Sequence, residues 1–199
     1  MSTILVVILS VFIVLFILGA LVTIIYNRLV ALKNRFKNAF AQIDVQLRRR
    51  YDLIPNLVNA AKAYLTHEAH TLEAVILARA RATSAQVSLG GDPTQLGALG
   101  QLFQADGQLS AALGRLLASL EAYPELKADR PIADTMEELT STENRIAFAR
   151  QAYNDAVMFY NEAREKFPAV LFSEMFGFSL AENWRLDEAT AAVPPKVEF

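Results

Sequence analysis

The first 25 residues of this 199-residue chain carry no charge, and within them Ile4 to Ile25 form an apolar run broken only by Ser10, Gly19 and Thr23. As a helix that run reaches about 33 Å, enough for a hydrocarbon core about 30 Å thick. Nothing basic precedes it, it exceeds the apolar region of a secretory signal, and no small-x-small cleavage site follows Gly19. A retained single-pass anchor over residues 1–25 is therefore expected. Arg28, Lys33, Arg35 and Lys37 follow the run directly, so the N-terminus is expected outside and the body in the cytoplasm.

The 53% apolar content is thus local, because all 19 basic and 21 acidic side chains fall after Ile25. The remainder is the size of one domain with its own core. No cysteine is present, which excludes a disulfide scaffold, a thiolate zinc site and a cysteine nucleophile. The net charge of -2 makes no case for nucleic acid. Gly90-Gly91 lacks the Gly-Lys-Ser/Thr of a phosphate loop and Ser179 lacks the glycines of a nucleophile elbow, so no cofactor is expected.

From Tyr26 onward the apolar spacing is helical. Leu29, Leu32, Phe36, Phe40, Ile43 and Leu47 recur every three or four residues. No glycine or proline separates Ile25 from Leu29, so one helix should run from the anchor to Ile54 and kink or turn at Pro55, where a second helix begins. A second helix carries Leu57, Ala61, Leu65, Leu72, Val75 and Ile76 as far as Gly90-Gly91-Asp92-Pro93. A third, from about Pro93 to Ala122, carries Leu99, Leu102, Asp106, Leu109, Leu113, Leu116 and Leu120. A fourth runs from about Ile132 to Phe167 through Met136, Leu139, Ile146, Tyr153, Val157 and Tyr160. The expected fold is all-α: a transmembrane helix continuing into a long antiparallel four-helix bundle over residues 26–185, with an extended tail over 186–199.

Four sets of residues do not fit a bland bundle. Arg50 and Glu143 sit on apolar stripes, where a charge is tolerated only if paired, so a buried Arg50–Glu143 ion pair is expected, with Arg79 as a second candidate. Gly100, Gly107 and Gly114 lie seven apart in the third helix, where each glycine costs about 1 kcal/mol relative to alanine, suggesting close approach of another backbone. Asn154 and Asn161, one heptad apart beside Tyr153 and Tyr160, suit register-setting polar positions of a coiled coil, or else a polar strip that binds a partner. The aromatic stretch with Phe172, Phe176, Phe178 and Trp184 is a candidate contact for a partner or a second copy.

Charge divides by segment. Residues 26–50 hold seven basic side chains and one acidic, and residues 51–199 hold the acidic excess. Arg28, Lys33, Arg35 and Lys37 are candidates for anionic lipid headgroups. His67, His70 and Glu73 share a helical spacing, but neither the His-Glu-x-x-His arrangement nor two Glu-x-x-His pairs are present, and a metal-dependent enzyme is the weakest reading.

Several blocks are also familiar in sequence. Tyr26-Asn27-Arg28-Leu29-Val30, Gln42 to Arg50, and Asp52 to Val58 resemble the signature of the LemA family of bacterial membrane-anchored helical proteins. His67-Glu68, Tyr123 to Ala128, Thr142 to Ile146, Tyr153-Asn154, Tyr160-Asn161, Phe167-Pro168 and Phe176-Gly177-Phe178 extend the resemblance along the chain. It departs from the family pattern at Ile132, Thr135, Met136 and Asn183-Trp184. The resemblance implies an anchored cytoplasmic bundle at the bacterial inner membrane, a broad link to the cell envelope and to magnetosome membranes, and no established reaction. The expected function is a self-associating, non-enzymatic scaffold whose partners are the lipid bilayer and further copies of itself. An adaptor for another membrane protein is the alternative.

Overall fold

The computed structural model describes residues 2–62, 68–121, 123 and 130–184. All the regular structure among them is helical: α1 Ser2–Lys62, α2 Ala69–Leu89, α3 Leu96–Glu121, α4 Arg130–Glu165 and the single turn α5 Val170–Ser173. The expected tail over 186–199 lies outside the described residues.

The helix α1 passes from the apolar run into the bundle without a break. Side chains from Ile4 to Leu18 point outward, covered by no other described residue. Among the described residues α1 is the one helix long and apolar enough to cross a membrane. The stripe then turns inward, and Leu29, Phe36, Phe40, Ile43, Leu47 and Ile54 are buried with Leu32 at the margin. At roughly 1.5–3 kcal/mol for each fully buried side chain, this face supplies much of what holds α1 to its neighbours.

The bundle runs up and down. Antiparallel pairing of α1 with α4 follows from Arg50 meeting Glu143 while Phe36 meets Tyr160. α2 returns along α1, with Gln86 against Asp44 and Arg79 against Tyr51. α3 packs on α2 and reaches α1 and α4 through Asp106. Gly90 ends α2 in the left-handed region at φ 59°, donating its N–H to the Gln86 and Val87 carbonyls.

Three sequence expectations need correction. The helix does not turn at Pro55; it continues to Lys62, so Leu57 and Ala61 belong to α1, and α2 starts only at Ala69. Proline removes the hydrogen bond to the carbonyl four residues back, here that of Tyr51. Arg79 Nε donates to that oxygen at 2.6 Å, replacing the missing donor from a neighbouring helix. Arg79 is therefore bound to backbone rather than to a carboxylate. Ile76, placed on the core stripe of α2, is exposed, because Leu72, Val75, Ala78 and Ala82 form the buried line.

Candidate functional site: a charged core and a clamped C-terminal segment

The bundle interior holds a compact charged group. Arg50 is fully buried in the middle of the α1 face. Its Nη1 lies 3.1 Å from Glu143 Oε1 and 3.2 Å from Ser110 Oγ, while Nη2 donates to Asp106 Oδ1. The second oxygen of Asp106 accepts from Arg150 Nη2. Two guanidinium groups and two carboxylates thus balance inside the protein, as buried charge requires. Glu143 is 38% exposed and Asp106 only 1%, so the deep partner of Arg50 is Asp106, with Glu143 closing the group at its edge. Asp106 lies on the same leucine stripe of α3 and carried the same signal as Arg50 and Glu143: a charge where the period demands an apolar residue.

Arg150 links this group to the C-terminal segment. Its guanidinium carbon sits 4.6 Å from the ring centroid of Trp184, and that indole packs on Phe103 at 4.3 Å. Burial lowers the Arg150 pKa to about 10, with repulsion from Arg50 adding to it and Glu143 opposing. Tyr51, beside Arg50, is pushed up to about 12 by burial, partly offset by the two guanidinium charges. Its hydroxyl has no hydrogen-bond partner among the described residues.

The Tyr-Asn pairs of α4 do something other than set register between helices. After α4 the chain turns through α5 and returns along it, and residues 178–184 lie against α4 without regular secondary structure. Asn161 Nδ2 donates to the Ala181 carbonyl at 2.9 Å and its Oδ1 accepts from the Ala181 N–H at 3.0 Å. Asn154 holds both backbone groups of Trp184 in the same way. Tyr160 and Tyr153 donate to the carbonyls of Ser179 and Glu182 at 2.7 and 2.8 Å. The spacings match: seven residues of helix rise about 10.5 Å and three residues of extended chain about 10 Å. A repeated dyad on a helix is therefore a ruler for the irregular segment that lies along it.

This arrangement changes the roles expected for the aromatic residues. Trp184 and Phe178 are buried inside the chain's own fold, and Phe176 and Phe178 stand edge-on to Tyr26 at 5.4 and 5.5 Å. Phe172 stacks on Phe176 and is half-buried. Packing that includes their own bundle makes Phe178 and Trp184 unavailable as docking side chains. At the glycine line a Cβ on Gly100, Gly107 or Gly114 would meet nothing within 4 Å, so no backbone among the described residues of this chain approaches closely there. Both Gly107 and Gly114 face outward.

The basic stem is partly engaged. Lys37 pairs with Asp92 at 3.0 Å, tying α1 to the α2–α3 turn instead of remaining free for headgroups. Arg35 lies over Phe159 and Lys33 over Phe178. Arg28 and Arg35 border a shallow groove with Phe159 and Lys166 between α1 and α4. His70 is exposed on α2, and His67 lies outside the described residues. Among the described residues no three potential metal ligands converge.

The LemA family model matches residues 39–199, most of the chain and nearly all of the bundle. The chain belongs to the LemA family. It is 32% identical over 175 residues to the magnetosome proteins MamQ 1 and MamQ 2 of Paramagnetospirillum magneticum, covering 80% of this chain and 64% of theirs. It is 28% identical over 194 residues to the magnetosome protein MamQ of Magnetospirillum gryphiswaldense, covering 86% of this chain and 70% of that protein. The match with the first two relatives thus leaves over a third of their length unaccounted for. In this LemA protein the charged core and the Tyr-Asn clamp both fall within the matched region.

Proposed function

We propose that this LemA-family protein is a non-enzymatic scaffold of the bacterial inner membrane, anchored by residues 1–25 with its body in the cytoplasm, and that it acts as an assembly of several copies. The supporting observation is the unbroken α1, whose 61 residues run from the apolar span through the centre of the bundle. At 1.5 Å per residue that is a rod of about 90 Å, so the position of the body is coupled directly to the bilayer. The charged side chains of its interior are held by polar partners within it: Arg50 and Arg150 bind Asp106, and Gln86 binds Asp44. A scaffold needs such fixed geometry, whereas general acid–base chemistry needs a poised group within reach of substrate. The MamQ relatives are named as magnetosome proteins, which agrees with a structural role.

The surface that suits a second copy is the outer face of α2 and α3. Ala74, Ala78, Ala111 and Ala112 line a shallow groove there, with Leu77 exposed beside it. Small side chains let a helix approach closely, and Gly107 and Gly114 lie on the same helix. The mass of the full chain in lipid nanodiscs tests the proposal: several copies per disc are expected, and a strict monomer at all protein concentrations would remove the scaffold reading. Orientation is tested separately. The chain has no cysteine, so single cysteines at Ser2 and Glu198 report topology by impermeant thiol labelling, and labelling at 198 from outside intact cells would reverse it.

A further inference from the structure

We infer that the turn joining α4 to the clamped segment, residues 166–177, is a second bilayer contact that rests in the interfacial layer beside the span. The inference rests on the reading of Ile4–Ile25 as a membrane span. α4 runs toward the membrane, since it is antiparallel to α1, and the chain reverses at its end before Ser179 climbs back beside Tyr160. That reversal is the base of the bundle. Its level is set by Tyr26, the first residue after the apolar run, whose ring meets Phe176 at 5.4 Å, and by Ile25, which packs against the same core.

Four of the outward side chains of this turn are large and apolar, beside the exposed charges of Lys166 and Glu174. Phe167, Leu171 and Met175, four residues apart, are 80%, 64% and 70% exposed, and Val170 adds to the same base. Large apolar groups gathered on one exposed surface mark a contact. Their height selects lipid as the occupant: the headgroup region extends roughly 5–7 Å beyond the hydrocarbon on each side, and interfacial segments bury their apolar face about 5–10 Å into that boundary. Cations lie at the margin of the patch, together with Glu162, which pairs with Lys166, and Glu174, which pairs with Arg164. Arg28 and Lys166 border one groove and Lys33 lies over Phe178, each with an aliphatic stem able to lie along apolar surface while its charge reaches the headgroups. Two contacts on different elements would hold the rod at a defined tilt, where a single helix would leave it free to rotate and lean.

Spin labels on the cysteine-free chain test this in vesicles of phosphatidylcholine and phosphatidylglycerol. Single labels go on Leu171→Cys and Met175→Cys, with Ile13→Cys reporting the span and Phe148→Cys, exposed higher on α4, reporting water. Collision with oxygen several-fold above collision with a water-soluble nickel chelate is expected at 13, 171 and 175, and the reverse at 148. Water access at 171 and 175 with lipid access at 13 overturns the second contact while leaving the span intact. Shielding of 171 and 175 from both reagents also overturns it, in favour of a protein neighbour. Water access at 13 removes the membrane reading itself.

Discussion

Asn154 and Trp184 exchange two hydrogen bonds: the Trp184 N–H reaches Asn154 Oδ1 at 2.7 Å and Asn154 Nδ2 reaches the Trp184 carbonyl at 3.1 Å. An amide side chain here takes the place of a neighbouring strand. Trp184 is also the only tryptophan in the chain, so its fluorescence reports the docking of the segment. Removing Asn154 or Asn161 as alanine strands two backbone groups, and leaving buried groups unpaired costs about 1–3 kcal/mol. Asn154→Ala is expected to shift Trp184 emission to the red and to expose residues 178–184 to limited proteolysis. Unchanged emission and cleavage would show that Phe103 and Arg150 alone hold the indole.

Asp106 bears the largest expected loss in the charged core. Asp106→Ala leaves Arg50 and Arg150 facing each other without their shared carboxylate, and breaking such a buried pair costs about 3–5 kcal/mol. Glu143→Gln, at the partly exposed edge, should cost much less. Urea denaturation of the two variants checks the order, and a loss from Glu143→Gln as large as that from Asp106→Ala would remove Asp106 as the dominant partner.

The proline in α1 and the arginine that serves its orphaned carbonyl should be coupled. Arg79→Met removes a charge-assisted hydrogen bond worth about 1.5–3 kcal/mol. In a Pro55→Ala background the helix regains its own donor to Tyr51, so the same substitution should cost less. A double-mutant cycle measures the difference. Strict additivity would separate Arg79 from the tolerance of Pro55.

Alkaline pH should destabilise the bundle through its tyrosines. Burial raises the Tyr51 pKa to about 12 and raises those of Tyr153 and Tyr160 as well. The folded protein therefore keeps protons that the unfolded chain loses above the ordinary value of 10.0. The stabilisation is complete below that value and is lost as pH rises through the folded pKa values. Tyrosinate absorbance should show late-titrating phenols, with thermal stability falling from about pH 10 upward. Phenols that all ionise at the ordinary value without loss of structure would contradict the burial.

Gly107→Ala and Gly114→Ala separate the two meanings of the glycine line. Inside the chain there is room for each methyl, and replacing a helical glycine by alanine stabilises by up to about 1 kcal/mol. The expected outcome is a bundle that melts later but self-associates more weakly in nanodiscs, because the methyl groups occupy space offered to a second copy. Stabilisation with unchanged assembly would leave the glycines without an interface.

The apolar run, the long stripes and the helical class are decided by local pattern, because side chains three and four apart must share one face of a helix whatever else surrounds it. The same rule marked Arg50 and Glu143 as charges on apolar faces and placed Asp106 on the leucine stripe of α3. It named the Arg50–Glu143 pair but not Asp106 as the deeper partner shared with Arg150, since that partnership depends on how three helices rotate about their axes. Pro55 read as a turn because a single helix cannot replace the lost hydrogen bond, yet Arg79 replaces it from 24 residues away in the chain. The Tyr-Asn repeat was visible as a heptad, but its meaning lay in residues 178–184, which have no regular period and reveal their path only when folded back along α4. Periodicity is a local property and was legible. Donors, acceptors and faces that come from distant parts of the chain were settled by tertiary packing alone.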